Sequence, residues 1–167
     1  MVDIDEAVAA GTERTRAGDA GELLTLQLAA WVREGREARR IDIPPLLEEL
    51  SDVAAQLADP ALTIWVYRDS TARMIATVRT SLLSPTTAFL GRLGVVPDRS
   101  GEGIGGAMLR LAERRVPAAV TRMELITGVR SVSNHRFYQN RGYQFIPLAR
   151  PDDGQPVVRL AKELDRQ

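Results

Sequence analysis

The sequence predicts one α+β domain (mixed α/β), and three observations predict it. Two early stretches carry apolar residues at helical spacing. A run of β-rich segments then follows, separated by turn residues. The second half alternates strand, helix, strand, helix, strand. The 167 residues suffice for one sizeable core, and no repeat or low-complexity tract divides them.

The elements follow in order. Residues 1–11 form a helical or frayed lead, and 12–164 form the domain. Thr12–Ala17 alternates polar groups and predicts a first, edge strand. Asp19 with Glu22 three residues on has the pattern of a capping box, and Leu24, Leu28 and Trp31 give the helix after it one apolar face. Pro44-Pro45 suits a second helix entrance, with Leu46, Leu47, Leu50, Val53, Ala54 and Leu57 as its face and Pro60 as its stop. Leu62–Tyr67 and Met74–Thr80 flank the turn Asp69-Ser70-Thr71 and read as a hairpin. Phe89–Val96 is a further strand after the loop Ser84-Pro85-Thr86. Gly91 and Gly94 inside it predict a bulge or a close backbone approach. A helix with Ile104, Met108, Leu111 and Ala112 on one face runs to Pro117. Then come a strand at Met123–Thr127, a short helix at Ser133–Asn140, a strand from Gly142 through Ile146, a turn at Pro151–Gly154 and a last strand at Val157–Ala161.

Composition excludes several kinds of chemistry. Lys plus Arg number 22 and Asp plus Glu 22, so the basic excess of a phosphate-gripping nucleic-acid binder is missing. With no cysteine there is no thiolate nucleophile, disulfide or thiolate metal site. His135 is the only histidine, which removes mechanisms needing two imidazoles and most zinc hydrolase sites. No apolar run approaches the roughly 18 residues of a membrane span. The acidic start lacks a secretory signal's basic region. The expectation is a cytoplasmic protein without nucleic-acid, membrane or metal partners.

Two segments carry chemistry. In the first, Val95 to Leu109, a strand ends, a turn with Gly101, Gly103, Gly105 and Gly106 follows, and a helix begins at once. Free N–H groups at a helix start bind anions, and glycine lets phosphate oxygens approach the backbone. A flexible glycine-rich helix start is the plain alternative. A phosphate-loop nucleotidase is excluded, because Gly105-Gly106-Ala107 stands where Gly-Lys-Ser/Thr is needed. A dinucleotide fold is disfavoured: Glu124 lies near its roughly 20-residue acidic spacing, but the preceding half is antiparallel in character. The second segment runs from Ser131 to Tyr143. Its short helix carries Phe137-Tyr138, and Gly142 stands where a C′ glycine ends a helix. Phe137 reads as a core aromatic, while the Tyr138 hydroxyl could do acid–base work.

Together, about 30 residues apart and in this order, the two segments resemble the GCN5-related N-acetyltransferase (GNAT) superfamily, over roughly residues 12–164. The first is similar to its coenzyme A signature, Arg/Gln then Gly-x-Gly-x-Gly/Ala. The second is similar to its later Asn, aromatic–Tyr and Gly-Phe/Tyr pattern, here Asn134, Phe137-Tyr138 and Gly142-Tyr143. The resemblance implies a mixed, mostly antiparallel sheet of about seven strands with about four helices, splayed between the fourth and fifth strands. It implies acetyl-CoA as acyl donor and a primary amine, small-molecule or peptide, as acceptor, attacked directly with no covalent enzyme intermediate. Leu93, Gly94 and Val95 would pair with the pantetheine arm. Arg99, Ser100, Gly101, Gly103, Ile104, Gly105 and Gly106 would hold the pyrophosphate. Asn134 would steady the donor near its thioester, and Tyr138 would protonate the departing thiolate. Homodimers are common in that family, though the sequence singles out no interface.

The chain departs from the pattern at two places. The usual Arg/Gln falls on Ser100, with Arg99 one place earlier. The central strand lacks the glutamate that many members use as general base, so a water relay to another group is expected. Arg92 on that strand reads as solvated rather than facing the acceptor. His135 reads as a surface residue, and the Arg33–Arg40 cluster as a solvated helix end. Two rival functions remain: an acyl-CoA-binding module without catalysis, and an interaction domain whose glycine turn binds nothing.

Overall fold

The computed structural model describes residues 3–148 and 156–165. The expected turn Pro151–Gly154 lies outside the described residues. The leading segment is helix α1 (Ile4–Gly11), capped by the Asp3 carboxylate, which accepts from the Asp5 amide at 3.2 Å. Strand β1 is shorter than expected, Thr12–Arg14. Helix α2 (Ala20–Ala38) starts where predicted, but the capping box does not form. The Asp19 and Glu22 carboxylates are drawn instead to the Arg68 guanidinium, at 2.9 and 2.7 Å. The other Asp19 oxygen accepts from the Arg16 amide at 2.7 Å, on the preceding turn rather than on α2. The buried face of α2 is also rotated from the expected one, to Leu23, Leu26, Gln27 and Trp31, with Leu24 and Leu28 at its flank.

The second predicted helix is two. Helix α3 (Pro44–Leu47) stops at Glu48, whose extended backbone precedes α4 (Leu50–Ala58). The break carries Leu47 and Leu50 outward to 60% and 53% exposure, so of the expected face only Val53 is fully buried. The Glu48 side chain turns inward at the break and meets Arg92 of the sheet. Six α-helices stand among the described residues where about four were expected.

Strands β2 (Thr63–Arg68), β3 (Met74–Ser84), β4 (Thr87–Val95), β5 (Arg122–Gly128), β6 (Gln144–Ile146) and β7 (Val157–Glu163) complete a seven-stranded sheet in the order β1-β2-β3-β4-β5-β7-β6. All its pairings are antiparallel except β4 with β5. Helices α5 (Ile104–Arg115) and α6 (Val132–Gln139) connect the strands of the second half. Ile104, Met108, Leu111 and Ala112 of α5 are all buried, as their spacing predicts. Each large side chain so buried stabilises the fold by about 1.5–3 kcal/mol.

The sheet separates α2 from α5. A Cβ on Gly94 would point at the Trp31 ring of α2, whereas Val95, its neighbour, points at Gly105 of α5. Successive strand residues face opposite sides, so the two helices cover opposite faces.

Two features of β4 open the sheet. Arg79 pairs with Gly91 and Thr77 with Gly94, so Val78 alone opposes Arg92 and Leu93: this is a β-bulge. Arg92 takes the left-handed conformation there, at φ 49°. The parallel ladder with β5 runs from Thr87–Arg122 to Leu90–Leu125 and ends. Strand β5 continues on β7 as far as Gly128, leaving a wedge between Gly91–Val95 and Ile126–Gly128. The splay expected between the fourth and fifth strands is therefore present.

Candidate active site

Two cavities occupy the wedge. The larger, about 350 Å³, lies between the bulge, the start of α3 and the end of β5. The smaller, about 250 Å³, runs from the end of β4 along α2 toward Ser100. Trp31, Glu34, Leu93 and Asn134 border both, so the two spaces meet there. Leu93, Gly94, Val95, Ser100 and Asn134 of the expected donor site all line the smaller cavity.

Gly94 is explained by α2. A Cβ there would stand 2.4 Å from Trp31 Cζ3, a distance real side chains do not reach. The missing side chain lets the indole lie against β4 at the meeting point of the cavities.

The glycine turn ends at Gly103, which caps α5 with φ 83°. Gly101 has the same left-handed backbone. The first amide of α5 to find a helical acceptor is that of Ala107, bonded to Gly103 O at 3.1 Å. Among the described residues, the N–H groups of Ile104, Gly105 and Gly106 donate to no protein acceptor. Three unpaired donors at a helix start fit an anionic phosphate group. Arg99 is already engaged: Glu102 accepts from its Nε at 2.8 Å and Asp69 from its Nη1 at 3.2 Å. The shifted arginine stands beside the turn with its charge compensated.

Tyr138 is 8% exposed and borders the larger cavity. It packs edge-on to Phe137 and Tyr143, with ring centroids 5.1 and 5.6 Å away. Burial, and after it the negative charge of Glu34, pushes its phenol well above the usual tyrosine range. The group therefore keeps its proton at neutral pH. It is both a core aromatic and part of a cavity wall. Phe137 is partly buried against the core and lies under the Arg141 guanidinium at 3.9 Å. Asn134 donates to Thr127 Oγ1 at 3.2 Å, which fixes its amide at the end of β5.

Two expectations fail here. Arg92 is not solvated: its side chain is 19% exposed, borders the larger cavity and donates to Glu48 Oε1 at 2.6 Å. The left-handed bulge turns it off the regular strand face, which alternation could not anticipate. His135 is half-buried rather than on the surface, its Nε2 2.9 Å from Gly128 O and its ring edge-on to Phe145. It borders neither cavity. Of the Arg33–Arg40 cluster, Arg40 reaches the larger cavity, where Asp42 pairs with it at 2.7 Å, and Arg33 the smaller.

Sequence reasoning missed Glu34. Its Oε1 accepts from Ser131 Oγ at 3.1 Å and from the Gly128 amide at 3.3 Å. No arginine or lysine pairs with it among the described residues. It is the one carboxylate bordering both cavities. Lying outside the family motifs and inside an arginine-rich helix end, it gave no sequence signal. Arg79 was missed for a similar reason, as a polar residue in a β-rich run.

Residues 24–143 match the sequence profile of the Acetyltransferase (GNAT) family, well over half the chain. The chain belongs to this family. No curated protein matches it by sequence. Solved structures share the fold at low identity. A GNAT-family acetyltransferase from Staphylococcus aureus Mu50 superposes with a TM-score of 0.71 at 14% identity, covering 92% of this chain and 98% of that one. An acetyltransferase from Thermus thermophilus gives 0.71 at 19% identity, covering 92% and 97%. The ribosomal-protein-S18-alanine N-acetyltransferase of Escherichia coli gives 0.70 at 16% identity, covering 93% and 94%. This GNAT acetyltransferase has, among its described residues, no helix long and apolar enough to cross a membrane. Nor do those residues include a group of His, Cys, Asp or Glu side chains able to hold a metal ion.

Proposed function

We propose that the protein moves an acyl group, acetyl in the first instance, from a coenzyme A thioester to a primary amine by direct attack. The observation that carries this reading is one continuous path. It leads from Ser100 in the turn before α5, past Val95 and Phe137, which pack on Gly105, and along the cavity under Leu93 and Gly94 to the larger cavity that Tyr138 borders. The thioester supplies an activated acyl carbon when bound. Ile104, Gly105 and Gly106 hold phosphate oxygens with their N–H groups, supported by the turn from Arg99 to Gly103. Leu93–Val95 offers strand backbone left unpaired by β5, and Asn134 borders the same channel.

At the junction, Glu34 takes a proton from the incoming ammonium, directly or through a water, which leaves a nucleophilic lone pair. As the C–N bond forms and the C–S bond breaks, Tyr138 gives its proton to the sulfur and recovers one from solvent or the substituted ammonium. An acid that stays protonated at neutral pH suits this task. The water relay expected in place of a strand carboxylate thereby gains a terminus, Glu34. The compensated Arg99 favours the second reading, an acyl-CoA-binding module without turnover. The buried phenol and the free carboxylate, facing one space, weigh against it.

The test is calorimetry with coenzyme A together with thiol release from acetyl-CoA over an amine panel. Binding with turnover supports the enzyme. Binding without turnover on any amine supports the module, and no binding overturns both.

A further inference from the structure

The larger cavity carries four charged side chains: Glu34, Arg40, Arg79 and Arg92. Two of them are neutralised within the protein. Arg40 is held by both Asp42 oxygens, at 2.8 and 2.7 Å. Arg92 is held by Glu48, which Gln27 also binds at 2.7 Å. The other two have no charged partner. Arg79 donates to the neutral amide oxygen of Gln56 at 2.9 Å, and among the described residues no carboxylate stands within ion-pair distance of it. Among the described residues, Glu34 accepts only from the Ser131 hydroxyl and the Gly128 amide. One cavity thus presents one uncompensated cation and one uncompensated anion.

They lie at different ends. Glu34 borders both cavities, so it marks the junction with the donor channel, whereas Arg79 borders the larger cavity alone. The Arg79 guanidinium lies across Gly91, with Nε 3.6 Å from where a Cβ would stand. Beside it the Arg92 Nε is buried without a hydrogen-bond partner among the described residues. The far end of the cavity therefore offers donors of positive character. Burial and the neighbouring Arg92 charge press on the Arg79 cation, and Glu48 relieves it only in part. A bound anion would complete the Arg79 guanidinium. Away from the junction the wall includes apolar Ile43, Phe89 and Leu90.

Building on the acyltransferase reading, we propose that the acceptor is a small zwitterion whose amine and carboxylate are separated by an apolar chain, of the ω-amino acid class. The carboxylate lies on Arg79, and the amine faces Glu34 at the junction, with Tyr138 lining the same cavity. A polyamine would place a second ammonium against Arg79. A peptide N-terminus would offer an amide where the site presents uncompensated positive charge. The reaction stays balanced as before: the amine nitrogen gains the acyl carbon, the thiol leaves with a proton, and the carboxylate does not react.

The experiment measures kcat/KM with acetyl-CoA for 3-aminopropanoate, 4-aminobutyrate, 6-aminohexanoate and 8-aminooctanoate, each against its carboxamide and the alkylamine lacking the carboxylate. Coenzyme A binding is followed separately by calorimetry. Free acids should be preferred by about 10- to 100-fold, as expected when a charge-assisted hydrogen bond is lost in a buried site. Arg79→Gln should bring the acid-to-carboxamide ratio toward one, and Arg79→Lys, which keeps the charge, should retain part of it. A ratio of one or less in the parent protein, or a ratio unchanged in a folded Arg79→Gln variant, overturns the proposal. So does a panel in which no acid is acetylated while coenzyme A binds. Failure of coenzyme A to bind overturns the acyltransferase reading itself, and the two failures are told apart by the calorimetry.

Discussion

The two ends of the wedge are built from different materials. At the proposed donor end the atoms assigned to binding are backbone amides, presented by Gly103 and the first turn of α5. At the proposed acceptor end they are side chains drawn from separate elements: Glu34 from α2, Arg79 from β3 and Tyr138 from α6. A backbone site depends on conformation and survives most changes of side chain. A side-chain site depends on identity, and one substitution can remove one function. The donor end therefore suits a ligand that never changes, and the acceptor end one that differs from protein to protein.

The contrast is sharpest at Glu34. Glu34→Gln keeps the hydrogen bonds to Ser131 and Gly128 in shape but cannot take the ammonium proton. A fall in kcat on the order of 10²- to 10³-fold is expected near neutral pH. The deficit should shrink as pH rises and the amine loses its proton unaided. A flat, unchanged pH–rate profile would remove Glu34 from the chemistry. Tyr138→Phe comes next, with kcat lowered about 10²-fold while coenzyme A affinity holds. Because the phenol is pushed upward, the parent profile should show no alkaline fall due to Tyr138 below about pH 10. Equal kcat for parent and variant, measured where chemistry limits the rate, would return Tyr138 to a packing role.

Changes at the donor end should act on binding. Gly103→Val forces a β-branched residue to φ 83°, at a cost of about 1–3 kcal/mol, and misaims the α5 amides. Coenzyme A affinity should fall about tenfold or more, read by calorimetry on protein whose melting shows it folded. Unchanged affinity would mean the amides are not the phosphate site. The smallest effect is expected at Arg99. Glu102 and Asp69 already compensate its charge, so Arg99→Ala should weaken coenzyme A by less than about tenfold. A hundredfold loss in the same titration would show that the ligand draws Arg99 away from both carboxylates.

The same division explains what could be read from the sequence. Glycine spacing reports backbone conformation directly, so the turn from Gly101 to Gly106, the α5 face and the bulge near Gly91 were legible. The β2–β3 hairpin also followed from β-rich runs flanking turn residues, whereas the splay beside β4 came only from the family resemblance. Glu34, Arg79 and the true setting of Arg92 were not legible, because each depends on what lies across the wedge. The extended break at Glu48 turns that carboxylate onto Arg92, and no periodicity in Leu46–Leu57 announces it. Asp19 and Glu22 show the reverse error: a correct local pattern lost to a distant guanidinium. The fold was readable from neighbours in sequence, and the acceptor end only from neighbours in space.

Gly94 gives the molecule an optical reporter. The absent Cβ seats the Trp31 indole at the boundary shared by both cavities. The chain has two tryptophans, and Trp65 sits elsewhere, beneath the Arg115 guanidinium at 4.4 Å. A donor or an acceptor entering the wedge displaces water from one indole and leaves the other in its surroundings. Intrinsic emission can then follow filling of the site in the unlabelled protein, with a Trp65→Phe background isolating the signal of Trp31.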